Sequence, residues 1–109
     1  MLFRSHLDAA LEGAPENKPL VLVSHQPAKD TVTDRITIGL HVGSTAVRGF
    51  IERRKPVLCI SGHIHEAQGT DRIGTTTLVN PGPFAEGRYL WAELDGDTCR
   101  VEIRRAPAQ

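Results

Sequence analysis

Two continuous apolar runs dominate the chain: Leu20-Val21-Leu22-Val23, leading into Ser24-His25, and Val57-Leu58-Cys59-Ile60, leading into Ser61-Gly62. Neither alternates with polar residues, which is the pattern of strands covered on both faces, as in a parallel sheet. Between them Val47, Phe50 and Ile51 share one helical face. Ser44 stands at the N-cap, Arg48 and Glu52 can pair at i,i+4, and Arg53, Arg54 and Lys55 complement the helix dipole before Pro56. Strand, helix and strand make a βαβ unit, whose right-handed crossover sets the strands parallel and adjacent. Both strands then finish at one edge of the sheet.

Outside this unit the pattern is weaker. Phe3, Leu7, Ala10 and Leu11 mark one face of a short helix that Gly13 and Pro15 stop. From Gln26 to Gly43 there is no sustained periodicity, and a connection of that length in a compact domain predicts a loop over a site. Residues 67–73 and 75–80 flank Gly74 as two strands, followed by the turn Pro81-Gly82-Pro83. Leu90, Ala92 and Leu94, then Cys99, Val101 and Ile103, alternate with polar or amphipathic residues on either side of Asp95-Gly96-Asp97. This predicts an antiparallel hairpin with one wet face. The expected fold class is α/β, with a mixed sheet: a parallel βαβ unit plus C-terminal antiparallel strands. The expected organisation is a single domain over 1–109, with 105–109 a disordered tail.

Composition narrows the function classes. The 109 residues are 39% hydrophobic and 24% charged, which suits one soluble domain. Thirteen basic residues balance thirteen acidic ones, so net charge supplies no argument for a nucleic-acid or membrane partner. No apolar stretch is long enough to cross a bilayer, and Met1 to Leu11 has no signal-peptide core. Cys59 and Cys99 lie apart within apolar runs, which reads as reduced thiols, an expected cytoplasmic location and no nucleophilic role.

Candidate chemistry sits at the strand ends, where α/β folds place their ligands. His25 follows the first strand, and Gly62-His63-Ile64-His65 follows the second. Neighbouring strands about 4.8 Å apart would bring three imidazoles within reach of one or two ions. Nitrogen donors without a close carboxylate suit zinc, iron, cobalt or manganese better than magnesium or calcium. Glu66, Asp30 and Asp34 are nearby carboxylates, but such residues read first as solvated surface, and His6 as a polar face residue of the first helix. His41 could line the pocket, bind phosphate as a cation or cap backbone. Ser44 could receive a phosphate at its helix N-terminus or act as a cap alone. Asn80, in Asn80-Pro81-Gly82-Pro83, belongs to an ordinary turn or brings backbone amides to the site rim.

Taken together, Val23-Ser24-His25-Gln26-Pro27, His41-Val42-Gly43-Ser44, Cys59-Ile60-Ser61-Gly62-His63-Ile64-His65-Glu66 and Val79-Asn80-Pro81-Gly82-Pro83 resemble the second half of a calcineurin-like metallophosphoesterase over residues 18–95. The resemblance implies half of a β-sandwich with flanking helices. It also implies a two-metal centre for phosphoester hydrolysis, with His25 and His63 on one ion and His65 on the other. In that family an Asp-x-His pair, a bridging Asp and an Asn-His-Asp or Asn-His-Glu element precede these motifs. Here only Asp8 and Asn17 stand before His25 as remnants, neither in that context.

The expectation is therefore a phosphoester hydrolase, or a truncated piece of one, that acts when another chain or segment completes its metal shell. The alternative is a degenerate, non-catalytic metal-binding or assembly module, holding one ion or none. Half a sandwich would expose an apolar sheet face. A homodimer or a separate N-terminal half would cover it, with a phosphate-containing small molecule as the substrate class.

Overall fold

A computed structural model of the chain describes residues 9–14, 18–36, 38–62, 64 and 67–107. Strand β1 (Val21–Ser24) leads into a loop with a 3-10 turn at Val32–Asp34. Helix α1 (Thr45–Arg54) follows, then β2 (Leu58–Ser61), β3 (Gly69–Ile73), β4 (Thr76–Asn80), a second 3-10 turn at Phe84–Glu86, β5 (Arg88–Asp95) and β6 (Thr98–Arg105). The first predicted helix lies mostly outside the described residues. At its C-terminal end Ala9 and Ala10 are helical, and Gly13, with φ +85°, ends the turn.

The central sheet has the order β1-β2-β4-β3. β1 runs parallel to β2, with Val21 opposite Leu58 and Ser24 opposite Ser61, and β2 runs parallel to β4. β3 is antiparallel to β4, through a hairpin in which Gly74 takes φ +59°. The βαβ unit and the mixed sheet are thus as the pattern of apolar runs predicts. α1 is built as its sequence implies: the Ser44 side chain accepts from the Val47 N–H at 3.1 Å, and Arg48 meets Glu52 at 3.4 Å. Lys55 closes the helix in a left-handed conformation, its N–H donating to the Ile51 carbonyl.

The sheet has two differently covered faces. On one, Leu22, Cys59, Leu78 and Ile73 pack with Val47 and Ile51 of α1 and with Ala28. On the other, Leu58, Ile60 and Val79, with Val57 just before β2, pack against Leu90, Cys99, Val101 and Ile103 of the β5–β6 hairpin. The hairpin's outer face is wet as expected, and there the Trp91 ring lies beneath the guanidinium of Arg104 at 4.4 Å and of Arg100 at 5.3 Å.

Two features depart from the expectation. Val21 and Val23 share the hairpin-side face with Leu58 and Ile60, yet Val23 is 73% exposed and Val21 is exposed as well. The two-stranded hairpin covers β2 and β4 and leaves the same face of β1 open, so the apolar run of β1 is covered on its helix side alone among the described residues. At the C-terminus β6 runs through Arg105, and the Ala106 N–H donates to the Gly87 carbonyl at 2.6 Å. The hairpin's own ladder therefore extends into the segment expected as a tail.

Candidate functional site

Because β1, β2 and β4 are parallel, Ser24, Ser61 and Asn80 close their strands at one edge of the sheet. A crossover helix runs back along the sheet, so the N-terminus of α1 starts at that same edge. The Ser44 N–H donates to the Pro27 carbonyl at 2.7 Å, tying the helix start to the exit of β1.

Of the three predicted metal-binding histidines, His25 is described and exposed; His63 and His65, with Glu66, lie outside the described residues, as do His6, Asp8 and Asn17. The Gly62 N–H donates to the His25 carbonyl at 3.4 Å, so Gly62, just past the end of β2, sits beside His25. Among the described residues no group of three or more His, Cys, Asp or Glu side chains could hold an ion. Among the described residues the edge offers the imidazole of His25, a nitrogen donor of the kind that suits a borderline transition ion.

The loop after β1 is more ordered than its composition suggests. Asp34, expected as solvated surface, is instead fully buried. Its carboxylate accepts from the backbone N–H of Thr31 at 3.1 Å, Asp30 at 3.0 Å and Gly43 at 2.9 Å, and from Nδ1 of His41. Burial alone would raise this carboxyl. The hydrogen bonds from His41, Gly43, Thr31 and Asp30 together outweigh it and hold the group below its ordinary range. The carboxylate can only accept, so His41 Nδ1 carries the proton in this bond, on a side chain that is one-third exposed. Gly43 is demanded by this packing: a Cβ there would lie 2.7 Å from both the Asp34 Cβ and the Pro27 carbonyl oxygen.

Ser44 spends its hydroxyl oxygen on the helix cap. Asn80 is 1% exposed and faces inward: its Nδ2 donates to the Ile64 carbonyl at 2.9 Å, and its Oδ1 accepts from the Gly82 N–H at 3.1 Å. Cys59 is buried mid-strand, where desolvation pushes its thiol up to about 12, and no disulfide links it to Cys99.

A family profile for metallophosphoesterases of the calcineurin superfamily matches residues 9–105. The chain is similar to the uncharacterized protein MJ1162 of Methanocaldococcus jannaschii, at 41% identity over 70 residues, which are 61% of this chain and 32% of that one. A solved crystal structure superposes with a TM-score of 0.69 at 28% identity, over 91% of this chain and 37% of the other. TT1561 of Thermus thermophilus, at 18% identity and a TM-score of 0.54 over 89% of this chain and 38% of its own, shares the fold. The chain thus spans about a third of the length of the relatives it matches. With a profile match from residue 9 to residue 105 and the parallel strand ends in the expected order, the chain belongs to the calcineurin superfamily of metallophosphoesterases, as a partial domain.

Proposed function

We propose that this chain supplies the imidazole side of a metal-dependent phosphoester-hydrolysing centre, and that another segment or chain completes the metal shell. The observation that supports this reading most directly is the bond from the Gly62 N–H to the His25 carbonyl, which brings the exits of β1 and β2 together at the carboxyl edge. His25, His63 and His65 are the proposed ligands, of zinc, manganese, iron or cobalt. A bound divalent ion would supply Lewis acidity toward a phosphoryl oxygen. The protein's own part is to orient the imidazoles and to line the approach. His41, its ring held by Asp34 through Nδ1, lines the approach in this reading, and as the imidazolium it would donate from Nε2 to a phosphoryl oxygen. Ser44 places the positive end of α1 at the same edge.

Completion of the domain is part of the proposal, because the chain spans a third of its relatives and leaves Val21 and Val23 open on a sandwich face. A homodimer or a separately encoded half would cover them. The second reading, a non-catalytic assembly module, draws on that same open face.

The deciding experiment is turnover of a chromogenic phosphodiester by the purified chain with manganese added, alone and then with a candidate completing chain, beside zinc titration by calorimetry. Zinc binding and turnover that both disappear in His63→Ala support the hydrolase. Zinc binding without turnover under either condition supports the module. Absence of zinc binding by the wild type removes the metal ligands from the proposal.

A further inference from the structure

We propose that Asn80 is a positioning residue, whose side chain sets the conformation of the loop that carries His63 and His65. As to the loop's purpose, the inference rests on the metal-ligand reading above.

Asn80 ends β4 and is buried, where an amide left without hydrogen-bond partners would be costly. Both its groups are engaged, by partners that admit one orientation: the Ile64 carbonyl can accept only, and the Gly82 N–H can donate only. Ile64 is the residue between the two histidines. Its carbonyl also accepts from the Ala67 N–H at 3.0 Å, its N–H donates to the Gly62 carbonyl at 2.6 Å, and its side chain is buried. The Asn80 amide therefore grips the middle of the 62–67 segment from the neighbouring strand. The two residues that flank this held peptide group in the sequence are His63 and His65, so an anchor on Ile64 is an anchor between the proposed ligands.

The grip is itself anchored. Gly82 adopts φ +87°, a left-handed conformation that any side chain would strain, so the turn that delivers its N–H to Asn80 Oδ1 favours glycine. As the carboxylate, aspartate at position 80 would keep the bond from Gly82 and lose the bond to Ile64. The two halves of the interaction can thus be separated by a single isosteric change.

The test compares Asn80→Asp with Thr76→Val in the full chain. Thr76→Val removes an equally buried bond, from Thr76 Oγ1 to the Pro56 carbonyl at 2.6 Å, at the opposite end of β4. Amide hydrogen exchange at Ile64 and Ala67 should accelerate about 10-fold more in Asn80→Asp than in Thr76→Val, and zinc affinity measured by calorimetry should weaken about 10-fold in the first and less than about 2-fold in the second. Asn80→Ser, which is too short to reach Ile64 and adds no charge, serves if the aspartate variant does not fold. Equal exchange in the two variants overturns the loop grip. Accelerated exchange with unchanged zinc affinity overturns the positioning role. A wild type that binds no zinc removes the metal reading, while the exchange comparison still decides whether Asn80 holds the loop.

Discussion

The Asp34 carboxylate, fully buried, and the His41 imidazole, one-third exposed, form a pair in which one carboxylate organises the connection from β1 to α1. Three backbone N–H groups converge on the same two oxygens, so the loop closes around a charge rather than around an apolar side chain. This explains how a stretch of 18 residues with little regular structure, Gln26 to Gly43, can hold His41 in a defined orientation.

Asp34→Asn should destabilise the chain by about 2 kcal/mol or more, because the new amide points N–H donors at N–H donors. Urea denaturation checks this. The pH dependence carries a definite sign: a carboxyl depressed in the fold below its ordinary 3.8 contributes stability that is complete above that value. That contribution fades as pH falls from about 4 through the lower folded value. Wild-type stability should therefore drop on acidification below pH 4 more steeply than that of Asp34→Asn. Parallel slopes for the two proteins would contradict the assignment.

Ser44→Ala should cost about 1 kcal/mol, the usual effect of removing an N-cap acceptor. Ser44→Asp keeps the acceptor and adds charge at the positive end of α1, so it should hold or raise stability. If Ser44 also serves a phosphate, Ser44→Asp should weaken inorganic phosphate binding through like-charge repulsion while leaving thermal stability intact. Calorimetry with phosphate beside a melting curve separates the two roles.

The thiols should differ in reactivity. Cys59 is buried and its pKa is pushed up to about 12, so alkylation of the native chain at pH 8 should proceed only through unfolding. Cys99, half-buried and raised less far, should react first. Mass spectrometry of iodoacetamide-treated protein reads the order directly, and simultaneous modification of both would contradict the burial of Cys59.

Legibility from sequence follows the physics of each element. The β1 and β2 runs, the crossover helix and the Ser44 cap were readable because each depends on local pattern: apolar continuity, a 3.6-residue period and a hydroxyl before the first turn. The burial of Asp34 was not, since an aspartate in a polar loop looks the same whether it faces water or gathers N–H groups. The one signal was the spacing Thr31-x-x-Asp34, in which a carboxylate three residues on reaches back to the first N–H. Asn80 reads as a turn residue, and its grip on Ile64 spans 16 positions, beyond any local pattern. An apolar run likewise states that β1 should be covered, but not by what.

The open face of β1 leads to the last prediction. Val23 is 73% exposed, so Val23→Lys should change the stability of the isolated chain by less than about 0.5 kcal/mol, whereas Val79→Ala, fully buried between layers, should cost about 2 kcal/mol. The proposed homodimer adds a second readout. A self-complementary apolar face should make the wild type sediment as a concentration-dependent dimer, and a lysine at its centre should return it to a monomer without loss of fold. A wild type that stays monomeric at every concentration would remove the homodimer and leave a separately supplied half as the cover for Val21 and Val23. Val23→Lys would then be expected to block the association with that half while leaving the zinc affinity of the isolated chain unchanged.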